Sequence, residues 1–173
     1  MDFSELDDFA ADADRDVGRF SLDFTLAPER LLTDAFELKK LNWQSVAYLD
    51  SDGIKKVPDD RRGIYAFAIY GNSPIFPKHS YVLYIGIAGK DSDRSLRARY
   101  RDYFSKSKVL PRAKVTMMIA KWRSVLHFHY APIDDNVTTE RLQSLEKQLN
   151  GALMPPMSTG DLEADLKKKR RAF

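Results

Sequence analysis

The sequence predicts an α+β domain, a small three-stranded antiparallel sheet flanked by helices, with an N-terminal α/β extension. The chain has 173 residues and 43% hydrophobic content, enough to bury one core. Two apolar segments, GIYAFAIY at 63–70 and YVLYIGIA at 81–88, have the composition of buried strands. From residue 63 the predicted order is strand, strand, helix, helix, strand, helix, which is typical of helices packed on an antiparallel sheet.

The extension covers residues 1–60. Its first 18 residues, rich in Asp and Ala, predict a frayed helix or disorder. FSLDFTL at 20–26 alternates as a half-buried strand does, and residues 27–43 predict a helix with Pro28 in its first turn. SVAYLDSDGIKKVP at 45–58 predicts a strand, an Asp-Gly turn and a short return strand.

The core covers residues 61–160. The two apolar strands, joined by a loop with two prolines, predict a hairpin. SLRARYRDYF at 95–104 repeats apolar side chains every four residues and predicts a helix that begins near Ser92 or Asp93. KVTMMIAKW at 114–122 fits a helical stripe, although its alternation also permits a strand.

The last two core elements are a strand and a helix. VLHFHYAPI at 125–133 predicts the third strand; its two histidines share one face, and we expect them to be surface or structural groups. TTERLQSLEKQLNGAL at 138–153 places three leucines on one helical face. Gly151 and the prolines that follow are expected to close this helix.

The charge is divided unevenly along the chain. Residues 1–60 carry 15 acidic and 7 basic side chains, whereas residues 61–173 carry 21 basic and 10 acidic ones. This asymmetry is typical of a nucleic-acid-facing module with an acidic extension, although a basic face can also be simply solvated. The basic tail, residues 161–173, ends in KKKRRAF and suits a phosphate contact or a solubilising segment.

The composition excludes several kinds of site. The chain has no cysteine, so disulfides, thiolate metal sites and a cysteine nucleophile are excluded, and three histidines supply little of a zinc site. A metal would have to be a hard ion held by oxygen. The acidic N-terminus does not resemble a secretory signal, and no long apolar segment suits a membrane, so we expect a cytoplasmic protein.

The two strands carry tripeptides in mirrored order, GIY at 63–65 and YIG at 84–86. Arg99 and Tyr103 follow at helical spacing, so both project from one face of the predicted helix. Glu146 borders the apolar stripe of the last helix, where a carboxylate needs a positive partner. With these five positions in order, residues 61–158 resemble the GIY-YIG nuclease family, with Tyr103 at a position that is His in some members and Tyr in the excision-repair branch.

The resemblance implies a metal-dependent DNA endonuclease. It implies that Tyr65 takes a proton from the attacking water, directly or by relay, and that Tyr84 positions water or phosphate. It implies that Arg99 stabilises the charge growing on the phosphate, and that Tyr103 assists orientation. Glu146 would hold one Mg²⁺ or Mn²⁺ ion.

Further positions are candidates for substrate contact, and they are Gly63, Gly86, Lys90, Arg97, Arg101 and Ser158. The glycines lack side chains where a phosphate backbone could approach. For Arg97 and Arg101 the simpler interpretation is a solvated helix face or a phosphate contact. Ser158 stands twelve residues after Glu146, where many members carry Asn, and it keeps a hydroxyl but loses the amide.

Two alternatives to a free nuclease stay open. The chain could retain the fold as a non-catalytic nucleic-acid-binding or interaction module. The acidic extension could instead imitate DNA and cover the cleft, in which case a chain starting near Lys55 would bind DNA more tightly.

Overall fold

A computed structural model of the chain describes residues 21–24, 41–70, 80–89 and 94–158, with the single residues 8, 11, 12, 15, 18 and 168. Between residues 41 and 158 these ranges form four strands, five helices and one 3₁₀ turn, which confirms the α+β class. In chain order they are β1 (Gln44–Ala47), α1 (Gly53–Lys56), β2 (Gly63–Ile69), β3 (Tyr81–Ala88), α2 (Leu96–Arg101), the turn (Asp102–Phe104), α3 (Lys106–Val109), α4 (Ala113–Trp122), β4 (Leu126–Pro132) and α5 (Thr139–Leu153).

All four strands form one antiparallel sheet in the order β1-β4-β2-β3. The predicted sheet of three strands therefore lacked one strand, because β1 pairs with β4 from Gln44 opposite Tyr130 to Ala47 opposite His127. The strand itself was predicted, but four residues of local pattern do not reveal which sheet they join. Residues 44–47 of the extension thus belong to the same sheet as the core.

The two faces of the sheet bury different side chains. Tyr65 and Phe67 of β2 point to an aromatic face, which α2, the 3₁₀ turn and α4 cover. Ile64 and Ala66 point to an aliphatic face, where they pack against the leucine stripe of α5. Since side chains alternate along a strand, each residue of the GIY tripeptide has a fixed side of the sheet.

Residues 54–57 do not form the predicted return strand. They belong to α1 and its C-terminal cap at Val57, which is fully buried. Ile54 and Val57 are three residues apart, which suits a helical turn better than a strand. Two ion pairs hold this turn, Lys55 with Asp52 at 2.9 Å and Lys56 with Asp50 at 2.6 Å.

Helix α2 begins later than predicted. Its N-cap is Ser95, whose Oγ accepts a hydrogen bond from the Ala98 amide at 3.1 Å. Residues 92 and 93 lie outside the described ranges, as do residues 25–40 with most of the helix predicted at 27–43. Residues 21–24, part of the strand predicted at 20–26, pair with no strand in the described part of the sheet, although Leu22 and Phe24 pack against the aromatic core.

The helical reading of residues 114–122 is confirmed by α4, and the helix predicted at 138–153 by α5. Gly151 does not close α5, which continues to Leu153 and ends at Met154 in the left-handed conformation, φ 41°. Met154 precedes a proline, and the α conformation is sterically disfavoured for such a residue. Within the described residues, no helix is long and apolar enough to cross a membrane.

The segment after α5 runs along β3, which is an edge strand of the sheet. The Met157 amide donates to the Leu83 carbonyl at 2.9 Å. Ser158 is buried, and its hydroxyl makes two hydrogen bonds to the backbone of Ile85. The Oγ accepts from the Ile85 amide at 2.8 Å and donates to the Ile85 carbonyl oxygen at 3.3 Å. This hydroxyl pins the chain to the strand that carries the YIG tripeptide and satisfies backbone groups at the sheet edge.

Candidate active site

The register of β2 and β3 explains the mirrored tripeptides, because Tyr65 lies directly opposite Gly86. A Cβ atom on Gly86 would lie 2.5 Å from the Tyr65 hydroxyl oxygen and 2.7 Å from its Cζ. The phenol ring therefore occupies the space that the missing side chain leaves. Gly63 meets a different neighbour, since a Cβ there would collide with the Ala131 carbonyl oxygen of β4.

Protein atoms thus fill the space beside both glycines. A substrate contact by either glycine stays a prediction. What the structure shows is that each glycine permits a close approach within the protein, by a phenol at Gly86 and by a neighbouring strand at Gly63.

Three tyrosines, Tyr65, Tyr84 and Tyr103, form a phenol cluster on the aromatic face. Their ring centroids lie 6.0 to 6.3 Å apart. The Tyr65 and Tyr103 hydroxyl oxygens are 2.8 Å apart, and either one can be the donor. Tyr65 is 0% exposed and Tyr103 is also buried, so this hydrogen bond is shielded from solvent.

Arg99 projects from the last turn of α2 towards the phenol cluster. Its Nε donates to the Tyr65 hydroxyl at 3.0 Å, and its Nη1 lies 3.7 Å from Asp102 Oδ2. The side chain is 31% exposed, so part of it faces solvent while its Nε donates to a buried phenol. The spacing of Arg99 and Tyr103 thus brings both side chains to Tyr65.

A second guanidinium, that of Arg112, also binds the cluster and was not predicted. Its Nη2 lies within donor distance of the Tyr84 hydroxyl, 3.2 Å, and of the Tyr103 hydroxyl, 3.3 Å. Its Cζ lies 5.5 Å and 5.0 Å from the centroids of the same two rings. Arg112 is the N-cap residue of α4, where the helix dipole disfavours a cation. A cation in this unfavourable place was the sequence signal that could have marked Arg112 as a residue with another role.

Burial is the main influence on the phenols. It raises the pKa of Tyr65 and of Tyr103 above the ordinary value, and the hydrogen bond and charge of Arg99 oppose this only in part for Tyr65. The charge interaction with Tyr65 raises the pKa of Arg99. Tyr65 and Tyr103 are therefore neutral phenols between two permanent cations, in surroundings that strengthen electrostatic interactions.

Glu146 belongs to α5, which is not among the described elements that cover the aromatic face. It is a half-buried residue of α5, and that helix packs on the aliphatic face of the sheet, opposite the tyrosines. Helix α5 packs mainly against β3, the edge strand that carries Tyr84. The structure brings Tyr65, Tyr84, Arg99 and Tyr103 together, whereas the convergence of Glu146 on them stays a prediction.

The other candidate residues have mixed environments. Arg97 donates to the carbonyl oxygens of Val57 at 2.7 Å and Lys55 at 2.9 Å, so it ties α2 to the segment after α1. Arg101 is exposed, and Lys90 lies outside the described residues. Substrate contact by these residues and by Ser158 stays a prediction.

Comparisons of the chain with protein-family models, with curated proteins and with solved structures find no match. The resemblance of residues 61–158 to the GIY-YIG family therefore stays a prediction. Within the described part of the chain, no group of three His, Cys, Asp or Glu side chains is placed to hold a metal ion.

We expect Gly86→Ala to destabilise the protein by about 1–3 kcal/mol, because its methyl group would overlap the fully buried ring of Tyr65 and force the packing around it to shift. Urea unfolding measures the loss. Gly53→Ala is the matched control, since its Cβ would lie 3.3 Å from the nearest atom at the start of a helix. Equal free energies of unfolding for the two variants would contradict the contact between Tyr65 and Gly86.

We expect the free energy of unfolding to fall as the pH rises above about 10, the pKa of an unfolded tyrosine. Burial raises the pKa of Tyr65, Tyr100 and Tyr103, and it raises that of Tyr48 to about 12. Above the unfolded pKa, the unfolded chain releases phenol protons that the folded chain retains, so the unfolded state gains in stability as the pH rises. The contribution of these tyrosines to the stability of the fold is therefore complete below the unfolded pKa and declines above it. Urea unfolding at several pH values measures the decline, and Tyr103→Phe should make it shallower. A constant free energy of unfolding between pH 9 and 11 would contradict this account.

Proposed function

We propose that the protein is a metal-dependent endonuclease that hydrolyses DNA phosphodiester bonds. The observation that carries the proposal is the hydrogen bond from Arg99 Nε to the Tyr65 hydroxyl, 3.0 Å long, beside the 2.8 Å bond between Tyr65 and Tyr103. Three residues predicted to act together, one from β2 and two from α2 and the turn after it, meet at one hydroxyl group. Buried phenol hydroxyls need hydrogen-bond partners in any core, and here one partner is a guanidinium whose side chain also reaches solvent.

Arg99 is suited to bind the phosphate that is cleaved. Tyr65 and Asp102 fix the orientation of its guanidinium, and the part of its side chain that faces solvent can meet a substrate. A planar, permanently charged guanidinium matches phosphate oxygens in pairs. Donors fixed before the reaction stabilise the charge that grows on the phosphate without the cost of reorienting them.

The phenols are suited to pass a proton rather than to exist as phenolates. Burial raises the pKa of Tyr65, so its neutral form dominates at neutral pH. Tyr65 and Tyr103 share a hydrogen bond in which either oxygen can donate, so a proton accepted at one hydroxyl can leave from the other. When the outgoing proton leaves Tyr65 or Tyr103 before the proton of the water arrives, the cluster carries a transient negative charge, which Arg99 and Arg112 would stabilise. Of the two routes implied for Tyr65, the relay fits its complete burial better than direct contact with water.

The oxygen donors of α5 fit a hard divalent cation in their chemistry. Glu146 supplies a carboxylate, and one turn later Asn150 has a buried side-chain oxygen without a hydrogen-bond partner in the described structure. Mg²⁺ is usually held by one or two carboxylates together with water and phosphate oxygens. Glu146 would hold the ion, and the bound ion would supply positive charge beside the leaving oxygen.

A second candidate function is nucleic-acid binding without cleavage. The complete burial of Tyr65 favours it, because a shielded phenol does not meet water or phosphate directly. Incubation of plasmid and linear DNA with Mg²⁺, Mn²⁺ or EDTA distinguishes the two. Nicking that requires the metal supports the nuclease, whereas retardation in a gel without nicking supports the binding module.

We expect Arg99→Ala and Glu146→Ala each to slow cleavage of DNA by roughly a hundredfold or more, which corresponds to about 3 kcal/mol of transition-state stabilisation. The first variant removes the guanidinium that meets the phosphate, and the second removes the carboxylate proposed for the ion. Single-turnover cleavage of a labelled duplex measures both. The exposed Arg123 at the end of α4 provides the control, and Arg123→Ala should cleave at the wild-type rate.

If Arg99→Ala cleaves DNA at the wild-type rate, Arg99 and the phenol cluster are not the active site. Cleavage by Glu146→Ala at the wild-type rate, with the same metal requirement, would show that the ion is held elsewhere.

A further inference from the structure

Asp102, the first residue of the 3₁₀ turn, is a buried carboxylate surrounded by cations. Its side chain is 7% exposed. Arg94 binds both of its oxygens at 2.9 Å, and Lys108 Nζ donates to Oδ1 at 2.7 Å. Arg99 Nη1 lies 3.7 Å from Oδ2. Three cationic side chains therefore gather at one carboxylate.

The charges at this position do not balance. One bidentate arginine already satisfies a carboxylate in both charge and geometry. Lys108 and Arg99 therefore leave two positive charges in excess, and like charges held this close repel each other. Arg94 and Lys108 are 39% and 48% exposed, so the excess charge faces solvent. Such a surface attracts an anion, and a fixed group of donors suits a phosphate.

Arg99 connects this group to the phenol cluster. Its Nε binds Tyr65, while its Nη1 points towards Asp102. The two features thus share one guanidinium and lie side by side on the aromatic face. A phosphate bound by Arg94 and Lys108 would be a neighbour of the phosphate that Arg99 contacts, as consecutive phosphates are along a single strand.

We infer that Arg94 and Lys108, oriented by the buried Asp102, form a second phosphate subsite next to the cleaved position. This inference rests on the proposed function for the identity of that position. The substrate class is then a polynucleotide strand with at least two consecutive phosphates, rather than a small molecule with one phosphodiester. Asp102 is a positioning residue, because it acts through the two cations.

The binding experiment uses the full chain and fluorescence anisotropy of a labelled 15-nucleotide oligothymidylate in EDTA, over a range of salt concentrations. We expect Lys108→Ala to reduce the slope of log K against log[salt] by about 0.7, the value for one phosphate contact on a single strand. Lys147→Ala is the matched control, an exposed lysine of α5 on the opposite face of the sheet, and it should leave the slope unchanged. Lys108→Arg should restore the slope.

A slope that Lys108→Ala leaves unchanged, or that Lys108→Ala and Lys147→Ala reduce equally, would overturn the subsite. It would show that the cations around Asp102 are a structural ion-pair network only. Because Asp102 is buried, its substitution risks unfolding, so the exposed Lys108 carries the test. Thermal unfolding of Lys108→Ala confirms that the variant is folded.

A cleavage experiment tests the substrate class separately. With Mn²⁺ present, Lys108→Ala should lower kcat/KM for the oligonucleotide at least fivefold and leave kcat/KM for bis(4-nitrophenyl) phosphate, which has one phosphodiester, within twofold. Equal losses on both substrates would overturn the subsite. If the wild-type protein cleaves neither substrate, the proposed nuclease fails, while the binding experiment in EDTA still decides whether the subsite exists.

Discussion

The hydroxyl group of Tyr65 lies where the sheet, two helical segments and the charged surface meet. It accepts a hydrogen bond from Arg99, shares another with Tyr103 and rests in the space above Gly86. Each contact constrains a different element: Gly86 requires the register of β2 and β3, Arg99 requires α2, and Tyr103 requires the turn after it. A shift of one residue in the pairing of β2 would turn Tyr65 to the aliphatic face and break all three contacts.

The N-terminal part of the described chain packs against the 3₁₀ turn that carries Tyr103. The Tyr48 hydroxyl donates to the Tyr103 carbonyl oxygen at 2.7 Å, and its ring stacks on Phe104 at 4.6 Å between centroids. Val46 and Val57 are buried in the same aromatic core. A chain that started near Lys55 would lose β1 and Tyr48, so tighter or weaker DNA binding by it would not isolate the effect of acidic charge. A start at residue 41 preserves these contacts and removes most of the acidic side chains of the extension.

Much of the sheet and the grouping of four site residues could be predicted from the sequence. The apolar runs of β2 and β3 are unmistakable in composition, and the four-residue spacing of Arg99 and Tyr103 places them on one side of a helical segment. The place of β1 could not be predicted, since strand pairing depends on contacts distant in sequence. Residues 53–56 were predicted to be a turn and a return strand but form α1, because an Asp-Gly pair also occurs at the start of a helix.

The charged parts of the site were harder to predict for a physical reason. Lys108 lies in the short helix α3 and Arg112 at the non-helical N-cap of α4. A cation at a helix N-terminus is unusual, but nothing local indicates which phenol or carboxylate either cation meets. Asp102 resembles any polar residue of a helix in the sequence, and only the fold shows that it is buried among three cations. The close approach of protein atoms to Gly63 and Gly86 could not be predicted either, because it depends on the register of the sheet. The central claim is that Tyr65 and Arg99 act as one unit in cleavage, and a double-mutant cycle of Tyr65→Phe and Arg99→Met in single-turnover cleavage tests it most directly. The account predicts that the double variant is about as slow as the slower single variant, whereas losses that simply multiply would contradict it.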